Sequence, residues 1–177
     1  MIPKRWMVAT CALLGTGLAQ PARAQRVARS QHGVVSQRIA QAEITVEYSR
    51  PVARGRDLFG GIVRYGRIWN PGADSATRVI VSHDVVVDGH TLPSGRYSLW
   101  VIPNEAEWTV VFNRAADVYH SLYPGEQDDE LRLTVMPEET WHMETLAFYF
   151  PVADGRGGVL ALHWGETVVR LTIEVEE

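Results

Sequence analysis

Cysteine and lysine each occur once in the 177 residues, as Cys11 and Lys4. Both fall in a segment with the marks of a secretory signal. Lys4 and Arg5 make a basic start, residues 7–18 are apolar, and Ala22-Arg23-Ala24 is an A-x-A cleavage site. Processing after residues 1–24 removes both. That excludes a disulfide framework, a cysteine nucleophile, a Cys-ligated metal, a Schiff-base lysine and a phosphate-loop lysine. Positive charge is scarce too: the remaining 14 arginines face 21 acids, a net charge of −7, the wrong sign for a nucleic-acid partner. Long apolar runs are missing. Residues 7–18 fall short of the roughly 20 needed to span a bilayer, and nothing later approaches that length. Cys11 lies inside the apolar stretch, and Val8-Ala9-Thr10 before it is not the leucine-led run of a lipidation site. The expectation is a periplasmic or secreted chain held by packing alone.

What is present has a period of two. After a polar lead-in at residues 25–33, residues 34–177 read as one domain. Ile44, Val46 and Tyr48 alternate with Glu43, Thr45 and Glu47, and residues 34–39 are expected to pair with this strand through Ala40-Gln41-Ala42. Further strands are expected at 78–87, 96–102, 107–113, 130–136, 144–150, 158–164 and 167–176. Asp88-Gly89 is the strongest turn signal, because a two-residue primed turn needs positive φ at both positions. No stretch carries helical amphipathicity. The expected fold is all-β, a single antiparallel β-sandwich of about nine or ten strands. Two stretches break the rhythm, residues 50–72 and 114–129, and irregular loops on rigid sheets are where this class builds sites.

Tyr48-Ser49-Arg50-Pro51, Gly55-Arg56, Phe59-Gly60, Tyr65-Gly66, Trp69 and Gly72-Ala73 recur as a set, followed by Asp88-Gly89, Leu92-Pro93, Gly95, Tyr97, Ile102-Pro103 and Trp108-Thr109. In this combination the chain resembles DUF2911, a bacterial family of unknown function. The resemblance covers most of residues 25–177 and implies an exported, β-rich protein; it implies no reaction. The family usually has Arg and Thr after the tryptophan and Asn after Gly-Ala. Here Asn70, Pro71 and Asp74 stand instead, so a guanidinium is lost and an amide becomes an acid.

Arg50, Arg54, Arg56, Arg64 and Arg67 place five guanidiniums in 18 residues, interleaved with Tyr48, Phe59, Tyr65 and Trp69. Forked donors beside aromatic faces suit a carboxylate, phosphate or sugar. The competing reading is a buttressed loop, with Arg50 and Arg56 on backbone carbonyls or paired with Asp57 and Asp74, and Tyr65 and Trp69 plugging the sandwich end. No metal site is expected. His83 and His90 flank the Asp88-Gly89 hairpin about 13–14 Å apart along the strand, too far to share an ion. His163, opposite in parity to Leu162 and Trp164, is expected on a solvent face. The acids at 126–130 read as a solvated run rather than a calcium loop. Trp108 and Trp164 share parity with core residues; Trp69 and Trp141 are the candidates for an exposed platform.

The leading reading is an exported binding or structural module that is not an enzyme and uses no cofactor. Its unidentified ligand is a small molecule, glycan or peptide. Arg50 and Arg56 would supply charge, Tyr65 and Trp69 stacking area, and Asp74 an acceptor, with His120 contributed by the second loop. The guanidiniums of Arg50 and Arg56 and the ring of Trp69 are expected to converge on one concavity. The alternative is a hydrolase of a small ester, glycan or peptide using Asp74, His120 or nearby Glu as acid and base, with Asp117 orienting His120. No G-x-S-x-G elbow accompanies it.

Overall fold

The structure is a computed structural model that describes residues 29–176. The signal expected at residues 1–24 lies outside the described residues. The described chain forms ten strands: β1 (Gln31–Ile39), β2 (Ala42–Arg50), β3 (Arg78–Val81), β4 (Val85–Val87), β5 (His90–Leu92), β6 (Gly95–Ile102), β7 (Trp108–Asn113), β8 (Asp129–Val135), β9 (Glu138–Asp154) and β10 (Gly157–Glu174). They make two antiparallel sheets, one of six strands in the order β1-β2-β3-β6-β7-β8 and one of four in the order β5-β4-β10-β9. The molecule is an all-β sandwich.

Alternation builds the core. In β2, Ala42, Ile44, Val46 and Tyr48 are buried while Glu43 faces water, and Val79, Leu99, Val110, Phe148, Leu162 and Leu171 meet them from both sheets. Asp88 and Gly89 adopt φ of 45° and 78°, and Val87 pairs with His90, the hairpin expected of that dipeptide. Residues 39 and 42 pair likewise around Ala40-Gln41.

The structure departs from the sequence pattern in several places, among them the strand expected at 144–150, which runs from Glu138 to Asp154. β1 begins at Gln31, inside the expected lead-in, because Gln31, His32 and Gly33 pair with Arg50, Ser49 and Tyr48 of β2. The β-branched run at 78–87 is two strands in different sheets: β3 pairs with β2 and β6, β4 with β5 and β10, and Ser82–Asp84 carries the crossing. The strands expected at 158–164 and 167–176 are one strand, β10, bent at Gly165 by a bulge with φ 60°. A Cβ there would meet Leu58 Cδ1 at 2.7 Å, so the glycine serves both the bend and the close approach. Finally, His163 is fully buried. Its parity is as expected, but β9 covers it there: Nε2 donates to the Trp141 carbonyl at 2.9 Å, and Nδ1 lies 3.3 Å from the Tyr149 hydroxyl.

The loop after β7 has a structural use. Ala76, Trp100 and Val111 form a small second core with Ile68, Val118 and Tyr123. Residues 114–128 thereby roof the outer face of the six-stranded sheet. The acids at its end are not a free solvated run. Asp129 accepts from Tyr123, Asn113 and Arg132, the last at 2.6 Å, and Glu126 and Glu130 pair with Arg132 and Arg114.

Candidate functional site

Residues 51–74 cross the end of the sandwich where β6 turns into β7 and β8 into β9. They are fastened to both sheets: Val52 bridges Thr145 of β9, and Trp69 bridges Val101 of β6. Between these points residues 57–63 close on themselves, with Ile62 N donating to the Asp57 carbonyl, Val63 N to Leu58 and Gly60 N to Val63.

The expected convergence of Arg50, Arg56 and Trp69 does not form. Arg50 Nε donates to the Leu146 carbonyl at 3.2 Å. Arg56 donates from Nε to the Ala53 carbonyl at 2.8 Å and from Nη2 to the Val52 carbonyl at 2.6 Å. Both guanidiniums therefore tie the loop to β9 and to itself. Trp69 is not an exposed platform. Its ring stacks on Trp164 at 5.9 Å and meets Phe59 edge-on at 6.0 Å, because its backbone is pinned to β6 and its side chain must enter the end of the core. Trp141 is exposed, at 65%, and Trp108 and Trp164 are core, as their parity requires. The residue after Trp69 is equally structural. Asn70 is fully buried, donates to the Leu99 carbonyl at 2.7 Å and accepts from Thr77 N at 3.0 Å.

Asp74 and His120 do meet, away from the arginines, but through backbone. His120 N and Nδ1 donate to the Asp74 carbonyl at 3.0 and 2.9 Å. The Asp74 carboxylate does not hold the imidazole, and neither does Asp117. That carboxylate binds Arg78 at 2.7 Å and Arg96 at 3.1 Å, and the hydrogen bond from Arg78, then the Arg96 charge, hold it below the ordinary carboxylate range. The acid–base pair that a hydrolase requires is not assembled by these residues.

Tyr65 remains, and it borders a different feature. Its ring packs over Gly60, where φ is 84° and a Cβ would come within 2.9 Å of the ring, and it stays 40% exposed. Beside it opens a hollow of about 340 Å³ lined by Phe59, Tyr65, Trp108, Asn104, Pro137 and Thr167, with Glu105, Glu138, Glu139 and Glu166 at its margin. Phe59 and Trp108 lie 4.6 Å apart at the base, and Trp108 Nε1 donates to the Asn104 carbonyl at 3.1 Å, which fixes the β6–β7 turn on the wall. Glu138 is paired with Arg170. The sequence reading missed these glutamates. Their one visible mark is position: Glu105 sits in a turn, Glu138 and Glu139 at the start of β9 and Glu166 at a bulge, and only the sheet order brings those places together.

Fold and hollow together define a β-sandwich with an open hollow at one end, lined by glutamates and the ring of Tyr65 and built on a loop pinned to both sheets. The chain belongs to the family described as Protein of unknown function (DUF2911), which matches residues 30–173. No curated protein and no solved structure matches it.

Proposed function

We propose that this is an exported binding module that takes a small organic ligand or side chain into the recess at the sandwich end. Export is supported by the basic start, apolar stretch and A-x-A site of residues 1–24. The observation that carries the binding reading is the recess itself. Phe59, Tyr65 and Trp108 border a volume of about 340 Å³, within the range of small-molecule sites. The exposed ring of Tyr65, held over Gly60 in front of the partly buried Phe59 and the buried Trp108, binds with little ordering cost. Arg50 and Arg56 belong to the scaffold in this reading.

The test is thermal melting against a panel of amines, peptides, glycans and anions, since a ligand of the folded state raises the melting temperature by mass action. A shift that disappears in Tyr65→Ala and persists in Arg50→Ala supports the recess. A shift lost in Arg50→Ala and kept in Tyr65→Ala returns the site to the arginines and overturns the proposal.

A further inference from the structure

We infer that the ligand of the end recess carries an organic cation, an ammonium or guanidinium group. The inference rests on the recess being the binding site and adds the charge of what it takes. Tyr65, 40% exposed, supplies the accessible ring, backed by the partly buried Phe59 and the buried Trp108, and a cation within about 6 Å of a ring centroid is attracted by the ring quadrupole. The carboxylates reach the margin from three separate places: Glu105 from the β6–β7 turn, Glu138 and Glu139 from the start of β9, and Glu166 from the β10 bulge. Arg170 engages Glu138. Among the described residues no cation pairs with Glu105, Glu139 or Glu166, and no arginine lines the recess.

Other ligand chemistries fit worse. An anion would enter a field of its own sign and find the Asn104 amide and the hydroxyls of Tyr65 and Thr167 as its side-chain donors. A neutral sugar would use the Tyr65 ring but gain nothing from the charge of the exposed carboxylates. A bare metal ion is disfavoured because these carboxylates, among the described residues, do not gather into a group able to hold one. An organic cation uses both halves of the site, its charge shared among spaced carboxylates and its alkyl or planar part against the rings.

The cation has two possible sources, a free amine or a basic side chain of a peptide. The experiment is isothermal titration of the full chain with spermidine and, separately, with an arginine-containing peptide. Triacetylated spermidine serves as the neutral control and inorganic phosphate as the anionic one. At least one cationic probe is expected to bind, to weaken about tenfold in the E105Q/E166Q double variant, and to weaken further as salt is raised. Binding of spermidine assigns a free amine, and binding of the peptide assigns a side chain. Both variant sites are exposed, so the amides leave the fold intact. A neutral or anionic probe that needs Tyr65 but is indifferent to E105Q/E166Q overturns the cation and leaves the recess standing. Binding that is indifferent to Tyr65→Ala, or no binding by any probe, overturns both.

Discussion

At the residue scale, side chains that read as functional are occupied with holding backbone. Asn70 is the clearest case: its amide joins the Leu99 carbonyl to the Thr77 N–H across the start of the second core, with no exposed surface. Asn70→Ala leaves both backbone groups without that partner, at about 1–3 kcal/mol for each group left unsatisfied, or about 2–6 kcal/mol together; urea denaturation should show a loss of that total size, and an unchanged midpoint would contradict the role. Arg50 teaches the same point about legibility. Its donors are visible in the sequence, but its acceptor, the Leu146 carbonyl, is 96 residues away. Composition counts donors and cannot place acceptors. It therefore favoured a ligand where the fold supplies a carbonyl.

At the scale of elements, period-two alternation was a sound guide to strands and a poor one to where they end or which sheet they join. Residues 78–81 and 85–87 share one β-branched run, yet the crossing at Ser82–Asp84 sends them to different sheets. Gly165 conceals the opposite error, a bend within one strand that reads as a turn between two. Gly165→Ala would force a Cβ into positive φ and onto Leu58, a strain of about 1–3 kcal/mol. The expected readout is a lower melting temperature; an unchanged one would mean the bulge is relaxed. The roofing loop has its own signature in pH. Burial raises the phenol of Tyr123, and its hydrogen bond to Asp129 adds to this, while Arg132 opposes it. Burial likewise raises Tyr97, with the charges of Glu130 and Asp84 adding. A folded-state value above the unfolded one near 10 gives stability that is complete below about pH 10 and lost as pH rises through the folded values. Denaturation midpoints should therefore fall above about pH 10, less steeply in Tyr97→Phe and Tyr123→Phe. Equal slopes in wild type and variants would contradict this.

For the whole molecule, a disulfide-free sandwich was legible because strand rhythm, turn residues and the absence of helical periodicity all agree. The recess was not, because it is made by sheet order. The strand sequence β6-β7-β8 and the β9–β10 hairpin bring the turn at Glu105, the start of β9 and the bulge at Glu166 beside a loop from residues 57–65, and no local spacing records that meeting. In a chain of net charge −7 after residue 24, the proposed site is thus a set of acids beside the ring of Tyr65, while the conspicuous arginines Arg50 and Arg56 donate to backbone carbonyls. The most direct test is an amide ¹⁵N–¹H NMR titration of the protein with spermidine and with the arginine-containing peptide. The account predicts saturable shifts confined to residues 58–66, 104–108, 137–140 and 165–168. Shifts centred on residues 50–56, or on 74–78 and 117–121, would contradict it.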